Sequence, residues 1–257
     1  MLTLLRTATS QRSAISRLKR WLVSGSSASR RLLSLARRGS HRICPLCDWR
    51  GRQFAPGGDR DKRRLDCICP ECGSMERQRL AFMVASGMVT LDFTRVLHVA
   101  PEKSVEQWLR RRASKYLSVD IKNPAMLRMD ITNLALNDDS VSLIWCSHVL
   151  EHVRADTTAI REFHRVLSPG GNAVIQVPIW RQRTYEDATK TTAADRLEAF
   201  YQTDHVRLYG FDIVDRFEEI GFSAEVFRAQ DFGPGSLLIH GLSFASTDEV
   251  FIFTKSP

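Results

Sequence analysis

This 257-residue chain contains no run of apolar residues approaching the roughly 20 that a membrane-spanning helix requires. Nor does it show a secretory leader with an uninterrupted apolar core and a cleavage site. Acidic residues are missing from positions 1–47, where nine Arg and one Lys stand unopposed. The other 210 residues hold 27 basic and 29 acidic side chains, so the formal charge of +8 belongs to a tail. A nucleic-acid-binding enzyme normally carries its basic excess on the folded face, and no basic patch interleaved with aromatics supports RNA binding in the body. Cysteine is scarce outside one place, since five of the six fall between Cys44 and Cys72. Clustering in CxxC pairs argues for metal in a reducing compartment rather than for disulfides, and a cytoplasmic location is the expectation.

What is present divides into three parts. Residues 1–42 are rich in Arg, Ser and Leu, with Ile15, Leu18, Trp21 and Leu22 on one helical face. A basic amphipathic helix in weak contact with an anionic membrane surface, a mitochondrial transit peptide leading to the matrix, and a poorly ordered tail are the competing readings. Residues 43–73 form a cysteine module. Cys44-Pro45-Leu46-Cys47 and Cys69-Pro70-Glu71-Cys72 are two CxxC knuckles with 21 residues between them. Each knuckle brings two thiolates to one ion at about 2.3 Å, and two knuckles complete a tetrahedron, so Cys44, Cys47, Cys69 and Cys72 are the expected ligands of a zinc ribbon. Cys67 offers an alternative ligand, but the paired symmetry favours Cys69. A closed four-thiolate site leaves no position for substrate or water, so this Zn2+ is expected to be structural.

Residues 74–257 are long enough for one α/β domain. Ser74 can cap a helix that ends near Gly87. From Arg95 the pattern alternates: a strand at Val96–Val99, a helix around Ser104–Ala113, a strand ending at Asp120, a strand at Val141–Cys146, and a helix over Thr158–Leu167. A Pro169-Gly170-Gly171 turn then leads to a strand at Ala173–Val177. Such alternation predicts a mostly parallel sheet covered on both faces. After a helix at about Asp212–Ile220, two late strands, Ala224–Phe227 and Val250–Thr254, follow with no helix expected between them. That pair suggests an antiparallel hairpin at the sheet edge.

In an open α/β sheet, ligands bind at the carboxyl ends of the strands. Four such ends carry polar residues: His98-Val99-Ala100-Pro101-Glu102, Asp120, Met129-Asp130-Ile131, and Ser147-His148-Val149-Leu150-Glu151-His152. The first lacks GxGxG, which weakens any phosphate-cradling reading. Taken together, the run from residue 95 to 178 resembles the class I S-adenosylmethionine-dependent methyltransferases of the type 11 group. The resemblance is strongest at "HVLEHV" and at Arg161–Gly171. The paired CxxC followed by Gly73-Ser74-Met75-Glu76-Arg77, by "LHVAPE" and by Asp204–Gly210 is similar to zinc-ribbon-bearing methyltransferase-domain proteins, mainly bacterial.

The resemblance implies a Rossmann-like, seven-stranded, mostly parallel α/β sheet with an antiparallel C-terminal hairpin strand, preceded by the zinc-ribbon module. It also implies S-adenosyl-L-methionine held by His98, Ala100, Pro101, Glu102, Asp120, Asp130, Ile131, Ser147 and His148. Glu102 would meet the cationic amino group of the methionine moiety, Asp120 the ribose hydroxyls, and Asp130 with Ile131 the adenine. The bland alternatives are a helix cap for Asp120 and a turn aspartate for Asp130.

Methyl transfer from a sulfonium needs a positioned nucleophile and, for a hydroxyl or thiol, a base. His205 and His148 are the candidate bases, with Asp204 as orienter, against the plainer reading of structural histidines. Glu151 and His152 could alternatively bind a divalent metal. Arginines after the fifth strand suit an anionic acceptor. The expected activity is methyl transfer to a small acceptor, anionic or glycan-related. The alternative is an inactive methyltransferase-like protein that uses its zinc module to bind protein or RNA. Nothing in the sequence sets the oligomeric state.

Overall fold

The structure, a computed structural model, describes residues 42–58, 64–242 and 249–256. The basic segment, apart from Arg42, and the middle of the loop between the knuckles lie outside the described residues. No described helix is long and apolar enough to cross a membrane. The chain divides into two compact units: residues up to Thr90 with Ala229–Ser246, and Leu91–Arg228 with Thr247–Pro257.

The first unit holds two small antiparallel ladders, β1 (Arg42–Ile43) with β2 (Arg50–Gly51) and β3 (Ala55–Gly57) with β4 (Arg64–Ile68). Helix α1 (Glu76–Gly87) follows. Its start corrects the expected cap: the N-cap is Met75, whose N–H donates to Gln78 Oε1 at 2.7 Å. Ser74 cannot serve, because its hydroxyl lies 3.2 Å from the sulfurs of both Cys44 and Cys72. The unit also includes a helix from much later in the chain, Gly233–Ile239. Buried Arg79 joins these parts. Its guanidinium donates to the carbonyls of Cys67, Ser74, His240 and Gly241 and lies 4.0 Å over the Phe54 ring.

The second unit is built on a seven-stranded sheet. Its strands are β5 (Arg95–Val99), β6 (Lys115–Asp120), β7 (Leu127–Arg128), β8 (Val141–Ser147), β9 (Leu167–Gln176), β13 (Phe222–Phe227) and β14 (Val250–Lys255), and their spatial order is β13-β14-β9-β8-β5-β6-β7. Five strands run parallel; β14 pairs antiparallel with both β9 and β13. The expected antiparallel pair is therefore present, with β14 slotted between β13 and β9. The expectation of no helix between these strands is corrected by Gly233–Ile239, a helix that belongs to the other unit.

Every residue of β8 is buried, as expected for a strand covered on both faces. Helix α2 (Lys103–Arg112) turns Val105, Trp108 and Leu109 inward, and α3 (Asp156–Val166) turns Ala159, Ile160, Phe163 and Val166 inward. Each such large side chain contributes about 1.5–3 kcal/mol by leaving water.

The Pro-Gly-Gly turn sits inside β9 as a bulge. Val141 pairs with Leu167 and Leu143 with Asn172, so the chain leaves the ladder at Ser168–Gly171 and then rejoins it. Gly170 takes φ +73°, and a Cβ on Gly171 would stand 2.8 Å from the Ser168 carbonyl oxygen.

Beyond β9 the chain forms a second, smaller sheet in which β12 (Arg207–Gly210) lies between β10 (Ile179–Arg181) and β11 (Tyr185–Glu186). Helices α4 (Ala193–Phe200) and α5 (Ile213–Glu218) flank β12 in sequence.

Candidate functional site

Two sites emerge, one in each unit. In the first, the sulfurs of Cys44, Cys47, Cys69 and Cys72 all lie within 4.8 Å of one another, with Cys44–Cys72 and Cys47–Cys69 at 3.6 Å. A tetrahedron with metal–sulfur bonds of about 2.3 Å has edges of about 3.8 Å, so the four thiols fit a zinc ion. The backbone explains the convergence. In each knuckle an N–H four residues on closes a turn: Asp48 N–H donates to Cys44 O and Gly73 N–H to Cys69 O, both at 2.9 Å. Asp48 and Gly73 take φ +60° and +74° at matching positions.

Crowding the sulfurs drives their acidities apart. Hydrogen bonding from Cys44 pulls the Cys72 thiol down to about 4, while burial pushes Cys47 up to about 12. A dication would satisfy all four thiolates at once. Cys67 is buried but is not in the cluster.

In the second unit, strand order reverses between β5 and β8, and a cleft of about 580 Å³ opens at the carboxyl ends of β5, β6 and β8. Ala100, Asp120, Asp130, Ile131, His148 and Asp204, all singled out from sequence, line it, as does His152. Ala100 takes φ +48° and donates its N–H to Val119 O at 2.8 Å. A left-handed alanine costs about 1–2 kcal/mol, so the β5 turn keeps a glycine-like path without a glycine.

Asp120 Oδ1 accepts the N–H groups of Lys122 and Asn123, both at 2.6 Å, and Oδ2 receives the Asn123 amide at 3.2 Å. Burial pushes its pKa up, but these donors outweigh it and hold the carboxyl below its ordinary value. Oδ2, with one donor, retains accepting capacity. Asp130 is exposed and binds the N–H and hydroxyl of Thr132 at 2.8 Å.

The remaining candidates are placed differently. His98 is fully buried in β5. Its Nδ1 is 2.9 Å from Tyr116 Oη and its Nε2 has no hydrogen-bond partner; burial and Arg110 push its pKa down to about 3. Ser147 is buried and donates to Gln176 Oε1 at 3.3 Å. Pro101 and Glu102 precede α2, with Glu102 at its N-cap, and neither lines the cleft. His205 does not line it either, but packs edge-on against His152 with ring centroids 4.7 Å apart.

The loop after β8 gathers charge. His148, at φ +53°, brings Nδ1 to 3.3 Å from Oε1 of Glu151, which is 1% exposed. Burial raises the Glu151 pKa, yet His148 and His152 bring it below the ordinary carboxyl value. Burial likewise pushes His205 down, against the pull of Glu151.

What holds this loop is a buried cluster that sequence reasoning missed. Arg207 donates to the carbonyls of Leu150, Val153 and Arg154 and to Glu186. Asp156 receives Tyr209 Oη and Arg216 at 2.7 Å and stands 3.5 Å from Arg207. The one available signal was an Arg and a Tyr two apart, on the same face of a strand close after the histidines.

Residues 84–175 match the family model described as "Methyltransferase domain". An uncharacterized 37.1 kDa protein in transposon TN4556 of Streptomyces fradiae is 30% identical over 92 residues. That stretch is 36% of this chain and 25% of the relative, so the match spans a quarter of that protein's length. Among solved structures, the YcgJ protein of Bacillus subtilis is 15% identical, with coverage of 69% and 98% of the two chains and a TM-score of 0.49. An S-adenosylmethionine-dependent methyltransferase of Mesorhizobium loti is 16% identical, with 64% and 92% coverage and a TM-score of 0.48. A Burkholderia thailandensis 1,6-didemethyltoxoflavin-N1-methyltransferase, solved with bound 1,6-didemethyltoxoflavin and S-adenosylhomocysteine, is 12% identical, with 71% and 79% coverage and a TM-score of 0.49. Residues 84–175 are thus similar to the methyltransferase-domain family, and they span the part of the sheet that carries the strand-order reversal and the cleft.

Proposed function

We propose that the chain is an S-adenosylmethionine-dependent methyltransferase acting on a small anionic acceptor, glycan-derived compounds included. The observation that carries this reading is Asp120: a carboxyl held below its ordinary pKa by backbone donors at the end of β6, in the lining of a cleft at the sheet's switch point. Ribose hydroxyls are donors that such an acceptor suits, and Asp130 and Ile131, which line the same cleft, are assigned to the adenine. Bound S-adenosylmethionine supplies an electrophilic methyl carbon on a sulfonium.

The protein's own contribution is placement and proton handling. Lys122, Arg154 and Arg196 ring the cleft and favour a negatively charged acceptor. His148 lines the cleft and is assigned to take the acceptor's proton, while His205, outside the cleft, packs edge-on against His152 and supports it. The four-cysteine site is assigned to a structural Zn2+, with no part in the chemistry.

The test is label transfer. Extract treated with methyl-tritiated S-adenosylmethionine and wild-type protein is expected to yield a labelled small anion that Asp120→Ala protein does not produce. Equal labelling by both proteins would refute the assignment.

A further inference from the structure

Outside the cysteine cluster, one other group among the described residues brings ligand atoms together: Glu151, His152 and His205, one atom from each, all within 4.8 Å. We infer that these three side chains form a second metal site, for a divalent first-row transition ion, at the edge of the cleft. Two imidazoles and one carboxylate on one side of an ion leave its other positions open, the donor set of a reactive rather than a structural centre. Ligand bonds of about 2.1 Å put neighbouring donors about 3–3.5 Å apart, so small side-chain rotations close the set.

Three observations point to a ligand rather than to a chance cluster. Glu151 is 1% exposed, and its Oε2 has no hydrogen-bond partner. A buried carboxylate so placed carries a large desolvation cost that a cation would offset. His152 turns Nδ1 to Asp204, 3.3 Å from both its backbone oxygen and Oδ2, which directs Nε2 elsewhere; a carboxylate on the far nitrogen is the usual support of a metal-bound imidazole. The segments are also fixed in advance. Arg207 holds the carbonyls of Leu150, Val153 and Arg154, and Val206 N–H donates to Glu151 O at 2.9 Å, so both ligand-bearing stretches are tied together.

His152 and Asp204 line the cleft, so an open metal position there would face a bound acceptor. An oxygen-bearing acceptor would be oriented by the ion and its hydroxyl made more acidic. That last step rests on the methyl-transfer reading, whereas metal binding does not.

The test uses the full chain with its cysteine site zinc-loaded, titrated with Co2+ and followed by visible absorption. One equivalent of Co2+ is expected, with ligand-field bands and no thiolate charge-transfer band. Glu151→Gln and His152→Ala should each weaken binding by about 100-fold or more, and Asp204→Asn by about 10-fold. His152 is partly exposed, so its variant keeps the test open if Glu151→Gln fails to fold. No Co2+ bands in wild type, bands of thiolate character, or equal affinity in wild type and His152→Ala would overturn the inference. S-adenosylhomocysteine binding by the same sample reports separately on the methyltransferase reading.

Discussion

Arg207, Ala100 and His98 show how single residues govern the site. Arg207 is 2% exposed and anchors three loop carbonyls beside Asp156. Arg207→Ala leaves those carbonyls without their donor, while Asp156 keeps Arg216 at 2.7 Å, so the expected cost is about 1–3 kcal/mol for each buried carbonyl left unpaired. A lower urea midpoint at unchanged slope would show it. Ala100 is held left-handed, so Ala100→Gly should change stability by less than about 1 kcal/mol, whereas Ala100→Val should cost more and weaken cofactor binding.

His98 makes stability depend on pH. Its folded pKa of about 3 lies below the unfolded value of 6.5, so the folded state favours the neutral ring. The stabilisation is complete above pH 6.5 and is lost toward pH 3, by about 1.4 kcal/mol per pH unit. Between pH 6.5 and about 4, the urea midpoint of wild type should fall more steeply than that of His98→Gln. Equal slopes would contradict this account of His98. The sequence marked His98 as a strand-end residue but could not show its direction. Alternation puts neighbours on opposite faces, and a strand covered on both sides buries either one.

At the scale of elements, the knuckles were the most legible feature, because Cys spacing and turn chemistry are local. Cys69, which the paired symmetry favoured, stands in the cluster and Cys67 does not. Purified protein is expected to keep about one tightly held zinc through gel filtration, to lose it in Cys69→Ser and to keep it in Cys67→Ser. Metal analysis showing equal zinc in the two variants would remove Cys69 from the ligand set. Helix positions within the alternating region followed from apolar periodicity. Ser74 read as a helix cap only because nothing local said that two sulfurs would claim its hydroxyl. The pairing of Asp156 with Arg207, Tyr209 and Arg216 was invisible for the same reason, since it joins residues more than 50 positions apart.

For the whole molecule, β-α alternation fixed the parallel sheet and its carboxyl-end cleft, and six of the sequence-derived candidates line that cleft. What alternation could not show was that Gly233–Ile239, which interrupts the last hairpin, belongs to the compact unit of the cysteine module. Such a chain crossing is set by tertiary packing and leaves no periodic trace.

The proposed activity requires first that the cleft bind S-adenosylmethionine through Asp120. Isothermal calorimetry with S-adenosylmethionine and S-adenosylhomocysteine on the wild-type chain and on Asp120→Ala tests it most directly. Wild type is expected to bind both ligands at about one per chain, and the variant to lose at least about 1.4 kcal/mol, tenfold or more. No binding by wild type, or undiminished affinity in Asp120→Ala, would contradict it.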